Sequence, residues 1–92
     1  MTTNSQEIEL KLQLCDELTD VLQIHQEQGP ILARAELRRL IDNYPPLYQD
    51  ARILLIICAI ERLIEGSAGI DSLEIAEWIG NAEVAIAGKE TA

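Results

Sequence analysis

The chain has 92 residues, of which 48% are hydrophobic and 25% charged, and it carries a formal net charge of −9. That length holds one domain, and such a domain buries only about 60–65% of the surface exposed by its unfolded chain. The acidity speaks against a nucleic-acid or anionic-membrane partner, because phosphate binding needs a basic footprint, and the apolar content speaks against wholesale disorder. With no Phe, one Trp and two Tyr, the core has to be aliphatic. Leu and Ala favour helices, while Val, Thr and the aromatics, the usual strand material, are scarce.

The first segment, EIELKLQL, alternates like an amphipathic strand. Its residues are nevertheless good helix formers, and the pattern changes to Leu14/Cys15, Leu18, Val21/Leu22 and His25, which is helical spacing. Asn4 and Glu7 have the spacing of a capping box. The expected helix runs over residues 5–28. Its apolar face is wide enough to imply more than one neighbour. Gly29-Pro30 ends it, glycine closing one helix and proline opening the next.

A shorter helix is expected over residues 31–43, with Ala33, Leu37, Leu40, Ile41 and Tyr44 as its stripe. Arg34, Arg38 and Asp42 climb the opposite side at i, i+4 spacing. Tyr44-Pro45-Pro46 breaks the chain, since a residue before proline leaves the helical region.

A third helix is expected from Leu47 to Glu65, stopped by Gly66. It contains ILLIICAI, eight apolar residues between Arg52 and Glu61. A membrane span needs about 20 such residues, so the run is too short. A buried strand fits its length, but the flanking residues continue a helical pattern with no turn signal. A helix apolar all round belongs in the middle of a bundle, where Cys58 would serve as packing.

Ser67-Ala68-Gly69 reads as a linker. Asp71 or Ser72 then caps a fourth helix, with Glu74 as the box partner. Ile75, Ile79, Ala82 and Ile86 line one face, Glu74, Glu77 and Asn81 lie away from it, and Gly88 closes it. Residues 1–4 and 89–92 are expected to fray. The fold expected is all-α, an antiparallel bundle of four helices built as two helical hairpins joined at the Pro45-Pro46 turn.

Few residues offer chemistry. His25 stands alone near a helix end, where its ordinary role is a favourable dipole contact. Leu22, three residues before it, removes the Glu-x-x-His motif of di-iron bundles. No EF-hand loop, P-loop or dinucleotide fingerprint occurs. Cys15 and Cys58 lack metal-site spacing and sit among apolar neighbours, as small hydrophobes do, although a bridge between them stays open. The expectation is no enzyme, no metal and no cofactor. An N-terminus without a basic region or an apolar run implies a cytoplasmic protein without a signal peptide.

Partner binding is the remaining class. Trp78 lies at the edge of the fourth helix's stripe, either as cover for the core or as an interface anchor. Tyr44 and Tyr48 bracket the prolines. Five of the seven bases (Arg34, Arg38, Arg39, Arg52 and Arg62) fall mid-chain, between acidic outer segments. Acidic outer helices could screen this basic hairpin, or Arg34 and Arg38 could face an acidic partner.

LARAELRRLIDNYPPLYQDARILL resembles the junction between consecutive tetratricopeptide repeats. Ala33, Leu37, Tyr44 and Pro45 take matching places, and Gly29 and Gly66 sit near helix-to-helix glycines. LEIAEWIG resembles a helix of the small tetratricopeptide-like chaperones that hold needle subunits of type III secretion systems. The resemblance implies a concave groove for a partner's helix and no catalytic residue. From the residues themselves, the leading expectation is a non-enzymatic interaction module that self-associates or pairs with another helical protein. An acidic chaperone or adaptor is the alternative, and a small-molecule-binding bundle is the reading from another class.

Overall fold

The computed structural model describes residues 2–44, 50–66, 69 and 71–91. They form four helices: α1 (Thr2–Gln28), α2 (Pro30–Asn43), α3 (Ala51–Glu65) and α4 (Ser72–Thr91). In the bundle α1 packs against α2 and α4, and α3 closes the square between α4 and α2, with little contact across the α1/α3 diagonal. The 27-residue α1 is about 40 Å long, and it sets the long dimension of a molecule measuring 42 × 24 × 19 Å. The expected all-α bundle of two antiparallel hairpins is what forms. The Pro45-Pro46 turn between the hairpins lies outside the described residues, as do Tyr48 and the Ser67-Ala68 part of the linker.

The helix ends have identifiable causes. Gly29, at φ +100°, does two jobs. Its N–H donates to the carbonyls of Ile24 and His25 (both 3.2 Å), closing α1. Its carbonyl then accepts from Ala33 N–H at 3.4 Å, opening α2 with Pro30 as the first helical residue. Gly66 takes the left-handed conformation (φ 74°, ψ 14°) and caps α3 by donating to the carbonyls of Arg62 and Leu63. Asp71 caps α4, accepting from Glu74 N–H at 2.9 Å.

Four boundaries differ from the sequence reading, the smallest difference being at α2, which begins at Pro30 and not at residue 31. α1 begins at Thr2, so Asn4 lies inside the helix and not at its cap. α3 begins at Ala51, because Asp50 is extended (φ −117°, ψ 147°) and its carboxylate accepts from Arg52 N–H. α4 passes through Gly88 to Thr91. A glycine costs a helix interior only about 1 kcal/mol relative to alanine and stops it only by adopting positive φ.

The core is aliphatic. Leu14, Cys15, Leu18, Val21 and Leu22 come from α1, Ala33, Leu37 and Leu40 from α2, Ile53, Ile56, Ile57, Ala59, Ile60 and Ile64 from α3, and Ile75, Ile79, Ala82 and Ile86 from α4. Among the described residues no polar side chain is buried. The stripe expected on α4 is buried, and of that expected on α2 Ala33, Leu37 and Leu40 are buried while Ile41 and Tyr44 are partly buried against the core. The expectation for ILLIICAI needs correcting. Ile53, Ile56, Ile57, Ala59 and Ile60 are buried, but Leu54, Leu55 and Cys58 are exposed. α3 occupies a corner of the square, and one side of a corner helix faces water whatever its composition. Cys58 is an exposed thiol and not packing.

Candidate interaction groove between helices 3 and 4

Grooves run between neighbouring helices, and their walls differ in chemistry. The groove between α3 and α4 has a volume of about 400 Å³ and is lined by Arg52, Leu55, Ile56, Trp78, Asn81, Ala82 and Ala85. The α4 wall is a set at i, i+3, i+4 and i+7, the arrangement of four side chains that makes a hole for a knob from a facing helix. Two alanines in that wall leave the hole unfilled, since Ile56 is drawn fully into the core while Leu55 stays 61% exposed. Trp78 is half-buried against the core, with part of its ring surface along the groove. It covers the core and also forms part of the groove wall.

Among the described residues no carboxylate lines this groove, although the chain holds sixteen acidic residues. Its one charged lining residue, Arg52, is internally engaged. The guanidinium donates to Asp50 Oδ1 and Oδ2 at 2.9 and 2.8 Å, and Lys11 Nζ of α1 reaches Asp50 Oδ2 at 3.3 Å. Hydrogen bonds from the Arg52 side chain outweigh the opposing cost of burial, and with the Arg52 N–H and Lys11 they hold the Asp50 carboxyl well below the usual carboxylate range. This cluster fixes the start of α3 against α1, and with it one end of the groove.

The groove between α2 and α3, about 360 Å³, is polar at its rims: Arg34, Arg38 and Asp42 stand on α2, Glu61 and Glu65 on α3, over Leu37, Ile41 and Ile64. Arg34 and Arg38 thus face carboxylates of their own chain without forming an ion pair to a described residue. The groove between α1 and α4, about 480 Å³, is lined by polar α1 residues including Thr19, Gln23, Gln26 and Glu27, with Leu73 across from them.

The candidate partner-binding residues do not converge. Trp78 belongs to the α3/α4 groove, and Arg34 and Arg38 to the α2/α3 groove. The half-buried Tyr44 packs on the core and donates its hydroxyl to the Glu17 carboxylate of α1. Burial and that carboxylate push the phenol up to about 12. Tyr44 therefore ties α2 to α1, together with Arg39, which pairs with both Glu36 and Glu17. The sequence reading missed Leu55, Ala82 and Ala85. The spacing of Ala82 and Ala85 is visible in the sequence, but which α3 residues meet them is not.

Among the described residues no group of His, Cys, Asp and Glu could hold a metal ion, and no helix is long and apolar enough to cross a membrane. The half-buried His25 sits in the last turn of α1, as its place in the sequence implies. Comparison of the chain with protein-family models, with curated proteins and with solved structures gives no match.

Proposed function

We propose that this chain is a non-enzymatic protein-interaction module and that the α3/α4 groove is its docking face. The observation that carries this reading is Leu55, 61% exposed beside a four-residue hole on α4 that its own chain leaves open. A leucine there forfeits on the order of 1 kcal/mol of burial that a partner would recover. Trp78 adds the large, rigid ring that dominates interface energetics. Among the described residues the groove is lined by no carboxylate, and its Arg52 guanidinium is already paired with Asp50, so an apolar helix face meets no unpaired charge among them. The two free thiols, Cys15 and Cys58, suit a reducing compartment such as the cytoplasm.

The test is affinity capture with the tagged chain, comparing wild type with Leu55→Asp, each checked for helical content by circular dichroism. The expected result is a bound protein, whether a second copy or another chain, that wild type retains and Leu55→Asp loses. Retention by both variants alike, or by neither, overturns the reading.

A further inference from the structure

The docking-face reading leaves its occupant open, and the charges on the same face select one. Leu55 and Asn81 share the groove. Seven residues beyond Leu55, two helical turns along the same face, α3 presents Arg62. Seven residues before Asn81, α4 presents Glu74. The two helices run antiparallel, so these steps of about 10 Å carry the eye the same way, and Arg62 and Glu74 stand level on opposite rims. Both are exposed, and they form no ion pair with each other. A groove with a base on one rim and an acid on the other, level with each other, is complementary to itself.

Resting on that docking-face reading, we infer that two copies of this chain pair through their α3/α4 faces about a two-fold axis parallel to the helices. That operation lays α3 of one copy antiparallel along α4 of the other at unchanged height. Leu55 of each copy then meets the hole formed by Trp78, Asn81, Ala82 and Ala85 of the other, and Arg62 of each meets Glu74 of the other. Every contact occurs twice, as an isologous interface requires. A helix of 15 residues beside α4 gives a face about 22 Å long and roughly 20 Å wide, a flat footprint of roughly 440 Å² before side-chain relief is counted. That is the scale of a reversible dimer and not of an obligate one. The formal charge of −9 on each copy opposes association at long range, so local complementarity decides the geometry while the net charge keeps the affinity low.

The charges allow a test that no other occupant passes. Wild type is examined by light scattering at roughly 200 µM, a concentration at which a weak interface of this size is populated. Its mass is expected to approach twice that of the monomer, and Leu55→Asp to weaken association by about 30-fold or more. Arg62→Glu alone and Glu74→Arg alone each set like charges opposite one another twice, and each is expected to weaken association by about tenfold or more. Mixed in equal amounts, the two variants restore opposite charges at both contacts, and the mixture dimerises again. Both substitutions lie on exposed positions, and circular dichroism checks that each variant is folded. A monomeric wild type, or a mixture no heavier than its two components measured separately, overturns the dimer. If wild type is monomeric yet captures another protein through Leu55, the dimer falls while the docking-face reading stands; if it captures nothing, both fall.

Discussion

Helices α1 and α3 show that composition alone does not decide which apolar side chains are covered. α3 has the most apolar stretch of the chain, yet it leaves Leu54 43% and Leu55 61% exposed. α1 is richer in charged and amide side chains, yet Leu14, Cys15, Leu18, Val21 and Leu22 are buried along it and Ile8, Leu12 and Ile24 pack against the core. The difference comes from place. α1 has α2 on one side and α4 on the other, and its wide apolar face fits that double contact. α3 meets α4 more extensively than α2, so one of its sides has no covering helix. Hydrophobicity sets how much a helix can bury, and its neighbours set how much it does.

Leucine truncation on the two helices tests this contrast with the largest effect. Leu18→Ala opens a cavity at a fully buried position and is expected to cost about 3 kcal/mol. At roughly 4–8 °C per kcal/mol for a domain of this size, the melting temperature drops by about 12–24 °C. Leu54→Ala, the same deletion on the outer side of α3, should stay within about 0.5 kcal/mol. Thermal unfolding of the two variants checks both, and equal losses would mean that α3 is covered on its outer side after all.

The cysteines repeat the comparison by a chemical readout. Cys15 is fully buried, and its thiol is pushed up to about 11, by burial first and then by the nearby carboxylates Glu83 and Asp16. Cys58 is exposed. Titration of the native protein with a thiol reagent should therefore modify Cys58 promptly and Cys15 only on unfolding. Cys15→Ser puts a hydroxyl into an apolar site and is expected to cost about 2 kcal/mol, whereas Cys58→Ser should be nearly neutral. Rapid modification of both thiols under native conditions would contradict the burial of α1.

What the sequence revealed follows the same division. Where apolar residues alternate with polar ones at helical spacing, the buried face is readable: Ala33, Leu37 and Leu40 on α2, and Ile75, Ile79, Ala82 and Ile86 on α4, were all identifiable. ILLIICAI contains no polar residue to mark its wet side. Its periodicity is silent, and only the packing of α2 and α4 decides that Leu54, Leu55 and Cys58 face out. The α3/α4 groove was illegible for the same reason, since it depends on which α3 residues meet Ala82 and Ala85. Helix stops were readable where backbone conformation forces them, at Gly29 and Gly66, and not at Gly88, which stays helical. The proline break points to a start at Leu47, but α3 begins after Asp50, an aspartate before an apolar run and thus an ordinary cap signal.

Asp50 gives an effect of intermediate size. Its carboxylate accepts from Arg52 N–H at 2.9 Å and binds the Arg52 and Lys11 side chains. Asp50→Ala removes the cap of α3 and its tie to α1, an expected loss of about 1–1.5 kcal/mol near pH 7. Because the folded protein holds this carboxyl below its ordinary 3.8, its contribution is complete above that value and is lost as the pH falls through the folded one. The gap in melting temperature between wild type and Asp50→Ala should therefore narrow in acid. A gap independent of pH would show that the charge of Asp50 contributes nothing beyond its place in the chain.

The seam between α1 and α4 supplies the opposite sign and the smallest effect. Burial and a hydrogen bond to Asp16 of α1 raise the Glu83 carboxyl of α4 above its ordinary 4.5. The folded state thus prefers Glu83 protonated, and its contribution to stability is fully present below 4.5 and lost as the pH rises through the raised value. Near pH 7 two carboxylates face each other across a seam whose apolar contacts outweigh their repulsion. Glu83→Gln keeps a donor towards Asp16 and removes one charge. It should stabilise the protein by about 0.5 kcal/mol near neutrality, or roughly 2–4 °C in melting temperature. That gain should shrink as the pH falls towards 4.5, the reverse of the trend for Asp50→Ala. If both variants moved the same way with pH, overall charge and not the pairing at these two positions would govern the acid response.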